Sequence, residues 1–143
     1  MDKLYFKRIW EDQDFFELEI KAETQIICSS VNTYTMNESI DELSEKLEIF
    51  LSLNKDHVFW ENGTKGNDFT PYISLSICKK DDYGHILIEV YMELDDGGDL
   101  SRHNCCFYVE TEIGLLDNFR RSLKFLKEPG VGNCIVLNDV DNL

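Results

Sequence analysis

The chain has 143 residues, the size of one domain with room for a single buried core. Apolar residues make up 43% of it, with only two prolines and eight glycines, a balance that argues against low-complexity or disordered character. Twenty-eight acidic side chains against 14 basic ones leave a net charge of -14. That sign repels phosphate backbones and anionic lipid heads, so it argues against nucleic acid or membrane as a partner and favours a basic protein, although acidity also serves solubility.

No stretch approaches the roughly 18 apolar residues of a spanning helix. The opening Met1-Asp2-Lys3-Leu4-Tyr5-Phe6 lacks the basic-then-apolar pattern of a signal peptide, so a cytoplasmic protein is expected. The cysteines, Cys28, Cys78, Cys105, Cys106 and Cys134, are odd in number, scattered and free of any Cys-x-x-Cys pair. They are expected as reduced, mostly buried thiols.

Leu4 to Trp10 favours extended structure by composition. Phe15 to Ala22 then alternates, with Phe16, Leu18, Ile20 and Ala22 on one face, the pattern of a half-buried strand. Gln25 to Thr35 is rich in strand formers. Asn37 offers an N-cap, Glu38, Asp41 and Glu42 suit the first turns of a helix, and Ile40, Leu43, Leu47, Phe50 and Leu51 recur at helical spacing.

His57 to Trp60 reads as a short extended run, followed by a loop over Glu61 to Asp68. Tyr72 to Lys79 alternates, Asp81-Asp82-Tyr83-Gly84 turns the chain, and Ile86, Ile88, Val90, Met92 and Leu94 mark the inward face of the next strand. Asp95-Asp96-Gly97-Gly98-Asp99 is a second turn. Cys105, Phe107 and Val109 then alternate with Cys106, Tyr108 and Glu110, completing a three-stranded antiparallel meander.

From Gly114 the period becomes helical, with Leu116, Phe119, Leu123 and Leu126 on one side and Arg120, Arg121, Lys124 and Lys127 on the other. Pro129-Gly130 ends this helix, and Val131 to Leu137 adds a last short strand before a polar tail. The whole is a single α+β domain over 1–143, a largely antiparallel β-sheet of about six to eight strands with two amphipathic helices packed on one face. A two-sheet sandwich or a partly closed barrel is the alternative.

No catalytic residues are assigned. No Gly-x-Ser-x-Gly elbow or cysteine-protease signature occurs, and His57, His85 and His103 have no evident nucleophile. No metal site is assigned either. His103, Cys105 and Cys106 carry zinc-ligand chemistry, but Cys106 belongs to the opposite face of the strand. The Asp/Gly turn lacks the alternating oxygens of a calcium loop, Gly130-Val131-Gly132 lacks the context of a phosphate loop, and no cofactor is expected.

The candidate binding surface is the wet sheet face. There Tyr72, Glu89, Tyr91, Glu93, Tyr108 and Glu110 fall in adjoining rows if the three meander strands are in register. The acidic outer side of the first helix is the other charged surface, and solvation explains it.

Three segments carry a family resemblance: Asp14-Phe15-Phe16-Glu17-Leu18-Glu19-Ile20, the helix Glu42-Leu43-Ser44-Glu45-Lys46-Leu47-Glu48-Ile49-Phe50-Leu51, and Phe107-Tyr108-Val109-Glu110-Thr111-Glu112 followed by Leu115-Leu116-Asp117-Asn118-Phe119-Arg120-Arg121-Ser122-Leu123. In this layout the chain resembles the WapI-type immunity proteins of bacterial polymorphic toxin systems. The resemblance implies a cytoplasmic protein, not an enzyme, that neutralises a cognate protein toxin, a nuclease among the candidates, in a stoichiometric complex. It transfers no individual residue's role. The alternatives are a small-molecule-binding or enzymatic α+β domain with a pocket on the Tyr/Glu face, or a homodimer joined through that face.

Overall fold

The computed structural model describes residues 1–53, 55–66, 70–94 and 103–139. Eight antiparallel strands and two helices confirm the α+β class, and the strands divide into two sheets of four, the sandwich arrangement that the sequence leaves open. The Asp95–Asp99 turn, part of the loop before Tyr72 and most of the polar tail lie outside the described residues.

The first sheet has the order β3-β2-β1-β8, built from β1 (Lys3–Glu11), β2 (Phe16–Glu23), β3 (Cys28–Thr35) and β8 (Cys134–Leu137). Leu18, Ile20 and Ala22 of β2 face inward with no exposure, as the alternation requires. The looser pattern of β1 has a physical cause. Its register shifts between Arg8 and Trp10, and Arg8, a cation, occupies an inward position with 4% exposure. The guanidinium is satisfied there by Glu11 (2.8 Å), by the Leu126 carbonyl (2.6 Å) and by the face of the Phe16 ring.

The second sheet has the order β4-β5-β6-β7, formed by β4 (His57–Asn62), β5 (Tyr72–Lys79), β6 (His85–Leu94) and β7 (His103–Glu112). The expected meander is present with continuous register. Ile73, Leu75, Ile77, Ile88, Val90 and Val109 form its inward face. Gly63 leaves β4 at φ +94°, where an added Cβ would lie 2.4 Å from the Pro71 carbonyl oxygen, so only glycine fits that exit.

The helices α1 (Asn37–Ser52) and α2 (Ile113–Ser122) pack against each other, and a short 3-10 helix over Leu123–Lys127 continues α2. Asn37 is the first helical residue rather than the cap. Met36 holds the cap position in extended geometry, without a side-chain bond, because β3 runs almost directly into the helix. Phe6 of β1 lies against Trp60 of β4 at 6.0 Å and edge-on to Phe119 of α2 at 5.5 Å, so one aromatic cluster joins both sheets to a helix.

Two asparagines tie the sheets together. The amide of Asn62, at the end of β4, donates to Thr33 Oγ1 (2.8 Å) and the Tyr34 carbonyl (3.0 Å), while its oxygen accepts from Thr35 (3.0 Å) and Ser39 (3.1 Å). Asn138, just beyond β8, donates to the carbonyls of Asp2 and Glu110, both at 2.7 Å, and accepts from Thr111 at 2.6 Å. Asn138 is 1% exposed and has φ +66°, a left-handed geometry that asparagine tolerates better than other side-chain-bearing residues. Replacing Asn138 by alanine strands a buried hydroxyl and two carbonyls and strains the backbone. Urea denaturation of Asn138→Ala is expected to lose about 3 kcal/mol, with Asn138→Gly recovering only the backbone part.

Candidate tyrosine and glutamate interface

Period-two alternation sends every second side chain of the second sheet outward, and the register aligns them in cross-strand rows. Phe59, Ser76, Glu89 and Tyr108 form one row across all four strands, and Glu61, Ser74, Tyr91 and Cys106 the next. Tyr72 stands beside Glu93, and Glu110 beside Leu87. All six residues singled out from the sequence therefore share this face.

Each of its three tyrosines donates to a carboxylate: Tyr72 to Glu61, Tyr91 to Glu93 at 2.8 Å, and Tyr108 to Glu89 at 3.0 Å. Glu110 is paired with Lys80 at 2.7 Å. The Glu93 carboxylate also accepts the Gly66 N–H at 2.7 Å, and Lys65 places its ammonium 5.1 Å from the centre of the Tyr91 ring.

One expectation needs correction. Tyr72 is 2% exposed and does not belong to an open surface. Its ring packs against Tyr91 at 6.0 Å, its hydroxyl is held by Glu61, and Gly66, from the connection after β4, bonds to the neighbouring Glu93. Glu89, Tyr91 and Glu93 are half-buried, so the accessible part of the face is centred on Tyr108 and Glu110. Phe59, exposed in the same row as Glu89 and Tyr108, is a member that sequence reasoning missed. Its signal was the extended run His57 to Trp60, whose alternation is too short to assign a face.

The environment keeps the phenols protonated. Burial first, and then the hydrogen bond to Glu61, push Tyr72 up to about 12. The bonds to Glu93 and Glu89 raise Tyr91 and Tyr108 respectively. Cys106 is raised as well, by partial desolvation of its thiol between its neighbours and by Glu89, although the residue as a whole is exposed. The face thus presents neutral donors locked onto anionic acceptors.

The cysteines differ from expectation. None of the five is fully buried: Cys28, Cys106 and Cys134 are exposed, and Cys78 and Cys105 intermediate, although all five are free thiols. Three of the five stand on outward strand positions, Cys28 and Cys134 at the ends of edge strands and Cys106 on the outer side of β7, where no layer covers them. Cys105 turns inward, its thiol 3.4 Å from Ser29 Oγ, while Cys106 points outward, so the two do not converge on one ligand.

His85 bonds to Asp81 at 2.6 Å beside the β5–β6 turn. It borders a groove of 290 Å³ with Phe50, Leu51 and Ile113, and a smaller one of 190 Å³ that reaches Lys80 and Glu110 at the end of the Tyr/Glu rows. A larger groove of 630 Å³ runs between α2 and β8, off this face. No helix among the described residues is long and apolar enough to cross a membrane.

Compared with protein-family models, curated proteins and solved structures, the chain matches none.

The raised Tyr72 has a consequence for stability. A phenol whose folded value lies above its ordinary value of 10 contributes stability that is complete below pH 10 and is lost as pH rises towards about 12. The melting temperature is expected to fall across that window, and less steeply in Tyr72→Phe. In absorbance titrations Glu61→Gln should bring one tyrosine back towards its ordinary midpoint.

Proposed function

We propose that this chain is a binding protein that holds a basic protein partner on the outer face of the second sheet, and that it acts as an immunity protein neutralising a cognate toxin domain. The observation that carries this reading is the set of tyrosine–carboxylate pairs. Tyr91 and Tyr108 are fixed to Glu93 and Glu89 before any partner arrives, so less side-chain freedom is lost on association. Tyrosine supplies broad contact area, and the carboxylates retain acceptor capacity for lysine or arginine.

The net charge of -14 supports the same reading, because it accelerates encounter with a basic surface. A nuclease toxin has such a surface where it receives phosphates, and the carboxylates of this face replace them. The three segments that resemble the WapI-type immunity proteins agree with this assignment, and a cytoplasmic location follows from it. The 630 and 290 Å³ grooves beside α2 and His85 take in none of the six face residues, and the 190 Å³ one takes in only Glu110, which favours a protein partner over a small ligand on these rows.

A large secreted protein is expected to be encoded beside this chain, and the test is titration calorimetry with the C-terminal domain of that protein; a neighbourhood without one counts against the reading. A one-to-one complex is expected that weakens with salt. Tyr108→Ala should weaken it by roughly tenfold or more, and Glu89→Lys by roughly a hundredfold. A complex indifferent to both substitutions and to salt would place the interface elsewhere.

A further inference from the structure

The two sheets have four edges, and they are not treated alike. The β4 edge is flanked by α1, whose Lys46 ammonium caps the Phe59 carbonyl. The β8 edge is four residues long and lies beside α2. On β3, Asn62 caps the Tyr34 carbonyl, and the inward residues Val31, Thr33 and Thr35 are 3 to 5% exposed, so the core is closed along that side.

The β7 edge is different. At one end the N–H of Glu110 donates to Asp2 Oδ2 at 3.0 Å, and its carbonyl accepts from Asn138 at 2.7 Å. Both groups of Glu110 therefore point away from β6. Because backbone direction alternates along a strand, the N–H and C=O groups of Tyr108, Cys106 and Asn104 point the same way. Among the described residues no hydrogen bond reaches them.

Beyond the capping of Glu110 by Asp2 and Asn138 and the charges of Glu110 and Glu112, the described residues of this edge carry none of the usual devices that blunt an edge. From His103 to Glu112 there is no lysine, proline or glycine, and the register with β6 is uninterrupted. The core is also incomplete at this edge, where the core-facing Cys105 and Phe107 are only half-buried.

We propose that β7 receives an extended strand from the basic partner, lengthening the second sheet from four strands to five. This rests on the function proposed above and specifies how the partner engages. Three residues, each offering one N–H and one C=O, pair with the incoming backbone. Apolar side chains on one side of that strand cover Cys105 and Phe107, and basic ones on the other meet Tyr108, Glu110 and Glu89. A second copy of this chain is a poor occupant, since each copy brings a charge of -14.

The probe is a capped eight-residue peptide of alternating lysine and valine, with amide hydrogen exchange read by NMR. At saturation the amides of Asn104, Cys106 and Tyr108 are expected to exchange at least about tenfold more slowly, a measurement that needs no variant. Cys106→Pro removes an N–H that has no partner among the described residues, and should weaken the peptide about tenfold while leaving the melting temperature within a few degrees.

Absence of binding at millimolar peptide overturns the strand inference, as does binding that protects other amides but not these three. In either case a toxin-domain complex sensitive to Tyr108→Ala leaves the face reading standing. Equal binding of a glutamate–valine peptide overturns the basic partner. A doubled mass in light scattering, with these amides already protected, assigns the edge to a second copy and overturns the proposal.

Discussion

Burial of apolar surface is non-directional, and two sheets packed by it alone could slide or rotate over each other. Asn62 and Asn138 remove that freedom. Each makes short, directed bonds to strands of both sheets or to the segments that continue them, and each bond is lost by a displacement of an ångström. Asn62 fixes the end of β3 against β4 and the start of α1, while Asn138 fixes the start of β1 against β7. The Phe6, Trp60 and Phe119 cluster supplies the apolar contact between these two points. A buried polar group is costly when unpaired and specifying when fully paired, and both amides are fully paired.

This division of labour explains why the outer face of the second sheet is available for recognition. Its inner face carries the packing, so its outer rows carry almost none and are free to hold tyrosine and glutamate. The phenol–carboxylate bonds keep those side chains ordered without a second layer above them. Where the connection after β4 does come over, Tyr72 becomes part of the interior, and its hydroxyl acquires the high proton affinity expected of a shielded donor beside an anion.

Much of this was legible in the sequence. The three strands of the meander follow from their alternation, with Leu87 as the exception, and both helices follow from apolar residues at helical spacing, although the second tightens to 3-10 geometry after Ser122, before Pro129-Gly130 stops it. The grouping of the six face residues followed too, because period and register decide it. What could not be read depends on contacts between segments distant in the chain. Local alternation does not state which strand pairs with which, so the pairing of β8 with β1, and with it the split into two sheets, had no local signal. Arg8 blurred β1 because a buried cation is tolerable only where Glu11 and the Leu126 carbonyl happen to converge. Asn62 and Asn138 looked like loop polarity, and the burial of Tyr72 depends on packing with Tyr91 and Glu61.

Asn62 is followed by Gly63, a pair prone to deamidation, in which the glycine nitrogen attacks the side-chain carbonyl and expels ammonia to form a cyclic imide that water opens to a carboxylate. In the folded protein the amide is held by four hydrogen bonds, which deny that attack its geometry. The clamp is thus also a chemical clock that runs only when the chain unfolds. An aged, unfolded molecule that has converted Asn62 to a carboxylate can no longer donate to Thr33 or Tyr34, and the inter-sheet joint does not re-form. Each excursion to the unfolded state therefore carries a risk of permanent loss, set at a single dipeptide.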